Sequence, residues 1–157
     1  MELQIFYTKN CKGFLKPVQE ILEGVYGLKT FGNKPLELIE NAYNPKRNQY
    51  DATSLLDYLI RTKEGKIALW IINNDIYCED MNFVFGYAAF HHGAVLSVFR
   101  LDSLELIQKE AVHEVGHVLG LGHCDNECVM QFSNSLQEAK EKPMKVCEKC
   151  RKLIKLE

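Results

Sequence analysis

Residues 113–123 read HEVGHVLGLGH, and this run constrains the chain more than any other feature. On a helix of 3.6 residues per turn, His113 and His117 stand one turn apart on a shared face, close enough to reach one ion. His123 follows six residues later, and a continuous helix would carry it ~9 Å further along the axis. Zinc–nitrogen bonds of ~2.0–2.1 Å forbid that separation. The helix must therefore break and the chain fold back, and Gly120 and Gly122 are the residues suited to a turn with positive φ. Three neutral imidazoles leave a coordination position for water, whose pKa zinc lowers from ~15.7 toward ~7. Glu114 is placed to take that water's proton and pass it to a leaving amine. The reaction class implied is hydrolysis of a metal-polarised amide carbonyl. HExxH by itself also fits a helix with two exposed histidines and a solvated glutamate.

The cysteines add a second asymmetry. Cys11 and Cys78 stand alone, whereas Cys124, Cys128, Cys147 and Cys150 form two close pairs in the last third of the chain. Four thiolates so spaced fit a closed tetrahedral zinc site, which can supply ~10–16 kcal/mol to a tail with little core of its own. A redox-active Cys147–Cys150 pair is the competing reading. Because Cys124 adjoins His123, the cysteine site would also anchor the third histidine.

The elements leading to this region alternate. Residues 1–7 read as a strand, 14–27 as a helix, 35–40 as a second strand, and 51–65 as a helix capped near Thr53 or Ser54 and ended by Gly65. KIALWIINN (66–74) is nearly continuously apolar, as a central strand should be. NFVFGYAAF (82–90) and AVLSVFRL (94–101) read as two more strands, joined by a turn at His91-His92-Gly93. Cleft lining is the alternative role for His91 and His92. The helix that follows is expected to start with a capping box from Asp102 to Glu105. Its core stripe would run through Leu104, Ile107, Ala111, Val115, Val118 and Leu119, with the two histidines near the opposite side. KEKPMK (140–145) reads as a solvated charge cluster, and a final helix is expected at about 147–156. The fold class is α/β (α+β), with a mixed five-stranded sheet, backing helices and a small zinc-bound C-terminal part. With 157 residues and 46% hydrophobic content, one domain over 1–157 is expected, divided as 1–122 and 123–157.

The extended run resembles the HExxHxxGxxH signature of the metzincin metallopeptidases. Cys124 directly after the third histidine, Cys128-Val129-Met130 and Cys147-Glu148-Lys149-Cys150 make it similar to one family among them, the archaemetzincins. NFVFGYA also resembles that family's strand before the active-site helix. Two intervals depart from the pattern: three residues rather than four separate Cys124 from Cys128, and the stretch from Met130 to Cys147 is about one residue short. The resemblance implies a metzincin-like zincin fold and two zinc ions. It implies His113, His117 and His123 around a catalytic zinc with Glu114 as general base, and the four cysteines around a structural zinc. Met130 would be the methionine of the turn that floors the metal.

Composition narrows the partners. A net charge of −2 argues against nucleic acid, since Glu138, Glu141 and Glu148 dilute the basic residues of the tail. No apolar run approaches the ~20 residues a membrane helix needs. The opening MELQIFYTKN lacks the basic start of a signal peptide, so a cytoplasmic monomer acting on peptides or proteins is expected. The alternative is a catalytically inert, zinc-stabilised module that binds peptides.

Overall fold

The computed structural model describes residues 1–154. Its main sheet contains β1 (Glu2–Tyr7), β2 (Lys29–Pro35), β5 (Ile67–Ile72), β7 (Gly86–Ala89) and β8 (Gly93–Ser97), in the order β2-β1-β5-β8-β7. All neighbours run parallel except β7, which pairs antiparallel with β8 and forms one edge. The five-stranded mixed sheet expected from the sequence is therefore present. β5 lies at its centre, and its unbroken apolar run has a direct cause. Ile67, Leu69 and Ile71 face one hydrophobic core, while Ala68, Trp70 and Ile72 face another. A strand covered on both sides needs apolar residues at every position.

Helix α1 (Leu15–Tyr26) and helix α3 (Leu104–Val118) cover the first face, and α2 (Ala52–Thr62) covers the second. Three short strands, β3 (Tyr43–Asn44), β4 (Gln49–Asp51) and β6 (Ile76–Tyr77), form a small separate sheet that the sequence pattern did not announce. It carries the segment leading into β7. Arg47 donates to the carbonyls of Met81 and Asn82, and Gln49 Nε2 also donates to Asn82 O. The tail holds α4 (Leu136–Glu141) and α5 (Glu148–Leu153).

Several boundaries differ from the sequence expectation. The second strand is 29–35, not 35–40. Leu36 N still bonds Tyr7 O, but the chain then leaves the sheet and packs Leu36, Leu38 and Ile39 over the second core. The cap of α2 is Asp51, which accepts from Thr53 N and from Ser54 Oγ, rather than Thr53 or Ser54. That helix ends at Thr62, before Gly65, because Lys63 turns to extended backbone. β7 is short because residues 82–84 leave the main sheet, Val84 bridging to Ile76 instead, while Phe85 O still accepts from Ser97 N. β8 ends at Ser97, whose hydroxyl donates to Asn74 O. Ser103, not Asp102, caps α3 by accepting from Leu106 N at 3.1 Å; Asp102 pairs with Lys140. The final helix covers 148–153, and residues 155–156 of the expected span lie outside the described residues.

Two corrections bear on the site. Helix α3 is not amphipathic in the simple sense: Leu104 is exposed, whereas His113, Glu114, Lys109 and Glu110 are all buried. The tail closes over the face that a lone helix would have left to water. The charge cluster at 140–145 is likewise not wholly solvated, since Lys142 is only 2% exposed.

Candidate active site

The last turns of α3 bring His113 and His117 together, and a glycine turn delivers His123. Leu121 N bonds Gly116 O and Gly120 N bonds His117 O, the paired bonds of a Schellman helix end. Gly120 has φ of +102°, as the sequence required, while Gly122 does not need positive φ. The same turn orients a ring, because Leu121 O accepts from His117 Nδ1 at 2.7 Å. Val129 O accepts from His113 Nδ1 at 2.8 Å. A carbonyl oxygen can only accept, so both protons lie on Nδ1 and both Nε2 atoms present lone pairs. Those two Nε2 atoms are 3.2 Å apart. Two facing lone pairs at that distance repel, whereas a tetrahedral ion with ~2.0–2.1 Å bonds spaces its nitrogens by about 3.3 Å. His123 completes the group, all ligand atoms lying within 4.8 Å of one another. Burial, with the Lys142 ammonium and the neighbouring imidazoles, holds His113 well below the usual histidine range. His117 is also depressed, chiefly by burial. Neutral imidazole is the form that binds zinc.

Glu114 lines the same cleft, a cavity of about 430 Å³ bounded by residues 83–90 of the edge segment, by α3 and by Phe132, Ser133 and Asn134. Burial and then the Glu110 charge push its carboxyl up to about 8, with Lys142 acting in the opposite direction. Room for that carboxylate depends on Gly86 in β7, where a Cβ would sit 2.8 Å from Oε2. Met130 is fully buried, and Gly116, between the two helical histidines in sequence, gives way to its Sδ. His91 and His92 occupy the β7–β8 turn outside this cleft. His91 takes φ of +66° and donates its N–H to Val118 O, and its ring lies over Gly120.

The four cysteines gather separately. Their sulfurs also lie within 4.8 Å of one another, with Cys124 and Cys147 Sγ 3.8 Å apart. Zinc–sulfur bonds of ~2.3 Å give a tetrahedral edge of about 3.8 Å. All four are free of disulfides. Backbone N–H groups of Met130 and Cys147 point at Cys128 Sγ, as thiolates require. The Cys147 thiol falls to about 6, the Cys150 N–H being the largest cause. Cys124 N bonds Met130 O, so the cysteine cluster, the methionine turn and His123 are one connected unit. Cys11 is buried, whereas Cys78 is half-buried and lines the cleft.

Residues 7–156 match the sequence profile of Peptidase family M54. The chain belongs to that family. As an M54 peptidase it is a zinc-dependent metallopeptidase acting on peptide or protein substrates. An archaemetzincin from Nanoarchaeum equitans is 47% identical over 133 residues, covering 85% of this chain and 78% of that protein. The crystal structure of archaemetzincin from Archaeoglobus fulgidus, complexed with malonate, superposes with a TM-score of 0.89 at 38% identity, over 98% of this chain and 100% of that one. A zinc-dependent peptidase from Methanocorpusculum labreanum gives 0.80 at 28% identity, over 95% and 97%.

Sequence reasoning missed several residues that line the M54 cleft or stand behind it. Lys142 pairs with Glu110 at 2.9 Å, both side chains almost fully buried, and Lys142 Nζ reaches within 3.3 Å of His113 Nδ1. Lys109 Nζ donates to the carbonyls of Ala139, Lys140 and Lys142, tying α4 to α3. No local spacing links 110 to 142. Gly86 did carry a signal, because a glycine inside a strand often marks close approach of another group.

Proposed function

We propose that His113, His117 and His123 hold the catalytic zinc, that Glu114 is the general base, and that Cys124, Cys128, Cys147 and Cys150 hold a second, structural zinc. The observation that carries this reading is the pair of converging Nε2 lone pairs, each ring locked by a backbone carbonyl, beside a buried carboxylate in one cleft. Bound there, zinc supplies a Lewis acid and lowers the pKa of water from ~15.7 toward ~7. Glu114 takes the proton at its carboxylate and returns it to the leaving amine. The substrate lies extended along β7, adding a strand at the sheet edge so that its scissile carbonyl faces the histidines. Residues 1–157 act as one metallopeptidase domain. We further infer a monomer at work in the cytoplasm, where the tetrad's thiolates stay reduced; among the described residues no helix is long and apolar enough to cross a membrane.

Elemental analysis of the purified protein beside Glu114→Ala and His117→Ala tests the assignment. Two zincs per chain are expected, both kept without Glu114 and one lost without His117. One zinc that survives His117→Ala overturns the histidine site.

A further inference from the structure

Lys142 comes from the tail, yet two successive residues of α3 hold it at both ends. Lys109 Nζ donates to Lys142 O at 2.8 Å and fixes its backbone, while Glu110 Oε2 pairs with Lys142 Nζ at 2.9 Å. The ammonium so placed donates to Gln131 O at 3.4 Å and stands 3.3 Å from His113 Nδ1. That nitrogen already gives its proton to Val129 O at 2.8 Å, so the ammonium touches the ring without bonding it. Val129, Met130 and Gln131 are therefore slung between two points of one helix. Val129 O meets His113, and Gln131 O meets Lys142, which is anchored on Glu110 three residues before that histidine. The other ties of this segment, Val129 N to Lys145 O and Cys124 N to Met130 O, run to the tail and the cysteine cluster.

Stability alone gives no reason for the pair. Taking two charges out of water is costly, and well-packed apolar residues in their place are often as stable or more so. What an ammonium supplies and a methionine does not is direction. Buried away from water it must find acceptors, so it dictates where Gln131 O stands and, two residues away, where Val129 O stands. A ring held by that carbonyl presents its Nε2 lone pair along one line only. We propose that Lys142, anchored on Glu110, is a positioning residue for the histidine site: it fixes the carbonyl that orients His113, and so the geometry offered to the metal, without touching substrate. This inference rests on the proposed assignment of the three histidines to the catalytic zinc.

Glu110→Met combined with Lys142→Met removes the pair as a unit and separates positioning from folding. The zinc-loaded double variant is titrated with a competing chelator beside wild type, counting the zinc that His117→Ala loses. Groups that orient a ligating histidine are typically worth about ten- to a hundredfold in metal affinity or activity. The double variant is expected to hold that zinc about tenfold or more weakly, with the cysteine-bound zinc unchanged. At saturating zinc its kcat should fall about tenfold or more, while KM changes less than about twofold. Cobalt in the histidine site reads the geometry without turnover, and its visible absorption should shift in the double variant. A pair that serves folding alone would behave differently. With the urea midpoint restored, zinc affinity, cobalt spectrum and kcat would all return to wild-type values, and that result overturns the inference. Where the double methionine chain does not fold, Glu110→Gln with Lys142→Gln takes its place, a neutral pair whose shorter amide at 142 cannot span both partners. The same losses are expected of it, and wild-type values again overturn the inference. If His117→Ala loses no zinc, the histidine assignment fails and the inference falls with it. An intact wild-type site with an unaffected double variant sinks the inference alone.

Discussion

Replacing Gly86 by alanine separates catalysis from folding. In a strand that tolerates it, Gly→Ala stabilises by about 0.4–1 kcal/mol through the unfolded chain. At position 86 the new Cβ would lie 2.5 Å from Glu114 Cγ and 2.8 Å from Oε2. Ordinary contact begins near 3.4 Å, so the carboxylate must retreat by about 0.6 Å at Oε2 and about 0.9 Å at Cγ. Overpacking of this kind costs about 1–3 kcal/mol, which partly cancels against the backbone gain. Net stability should therefore fall by no more than about 2.6 kcal/mol, which leaves a domain of ordinary stability folded. Turnover of the folded protein should fall about a hundredfold, because a displacement of about 1 Å at a reacting group costs about 2.7 kcal/mol of barrier. The assay is kcat on a cleaved peptide, read beside zinc content and the urea midpoint of the same sample. Wild-type kcat at full zinc loading would refute the claim that Glu114 works from its position against β7. Parallel loss of zinc and activity would point to damage at the histidines instead.

Lys142→Met strands the Glu110 carboxylate in the interior and is expected to cost about 3–5 kcal/mol in urea unfolding. Glu110→Met in the same chain should restore most of that loss, and a double variant no better than the single would argue against a buried pair. Cys124→Ser should empty the cysteine site and, through the His123–Cys124 link, also lower occupancy at the histidines. Elemental analysis showing only one zinc lost would disprove the coupling. Burial pushes Asp75 up, but hydrogen bonds from Arg100 and Gln49 and the Arg100 charge outweigh it and hold the carboxyl below its ordinary value. A lowered folded pKa stabilises above the unfolded value of ~3.9 and loses that contribution as pH falls through the folded pKa. Asp75→Asn should therefore flatten this acid limb of stability while leaving the slope above about pH 5 unchanged.

What could be read from the chain alone was what depends on neighbours in sequence. The HEVGHVLGLGH run implies a helix, a break at Gly120 or Gly122 and a returning histidine, because three imidazoles proposed to hold one ion leave no other path, and the structure puts the break at Gly120. The cysteine pairs are local in the same sense, and the continuous apolar run of β5 follows from burial on both faces. Strand and helix ends were less legible, since Asp51 against Thr53, or Ser103 against Asp102, is decided by which side chain is free to accept the first N–H groups. Only the tertiary structure decided the environment of the chemistry. Gly86 makes room for Glu114 across 28 positions, and Glu110 meets Lys142 across 32. The tail that turns Lys142 inward also buries the outer face of α3. Spacing along one helix can say which side chains share a face. Whether that face meets water or a folded-back tail depends on contacts that exist only after the chain has closed on itself.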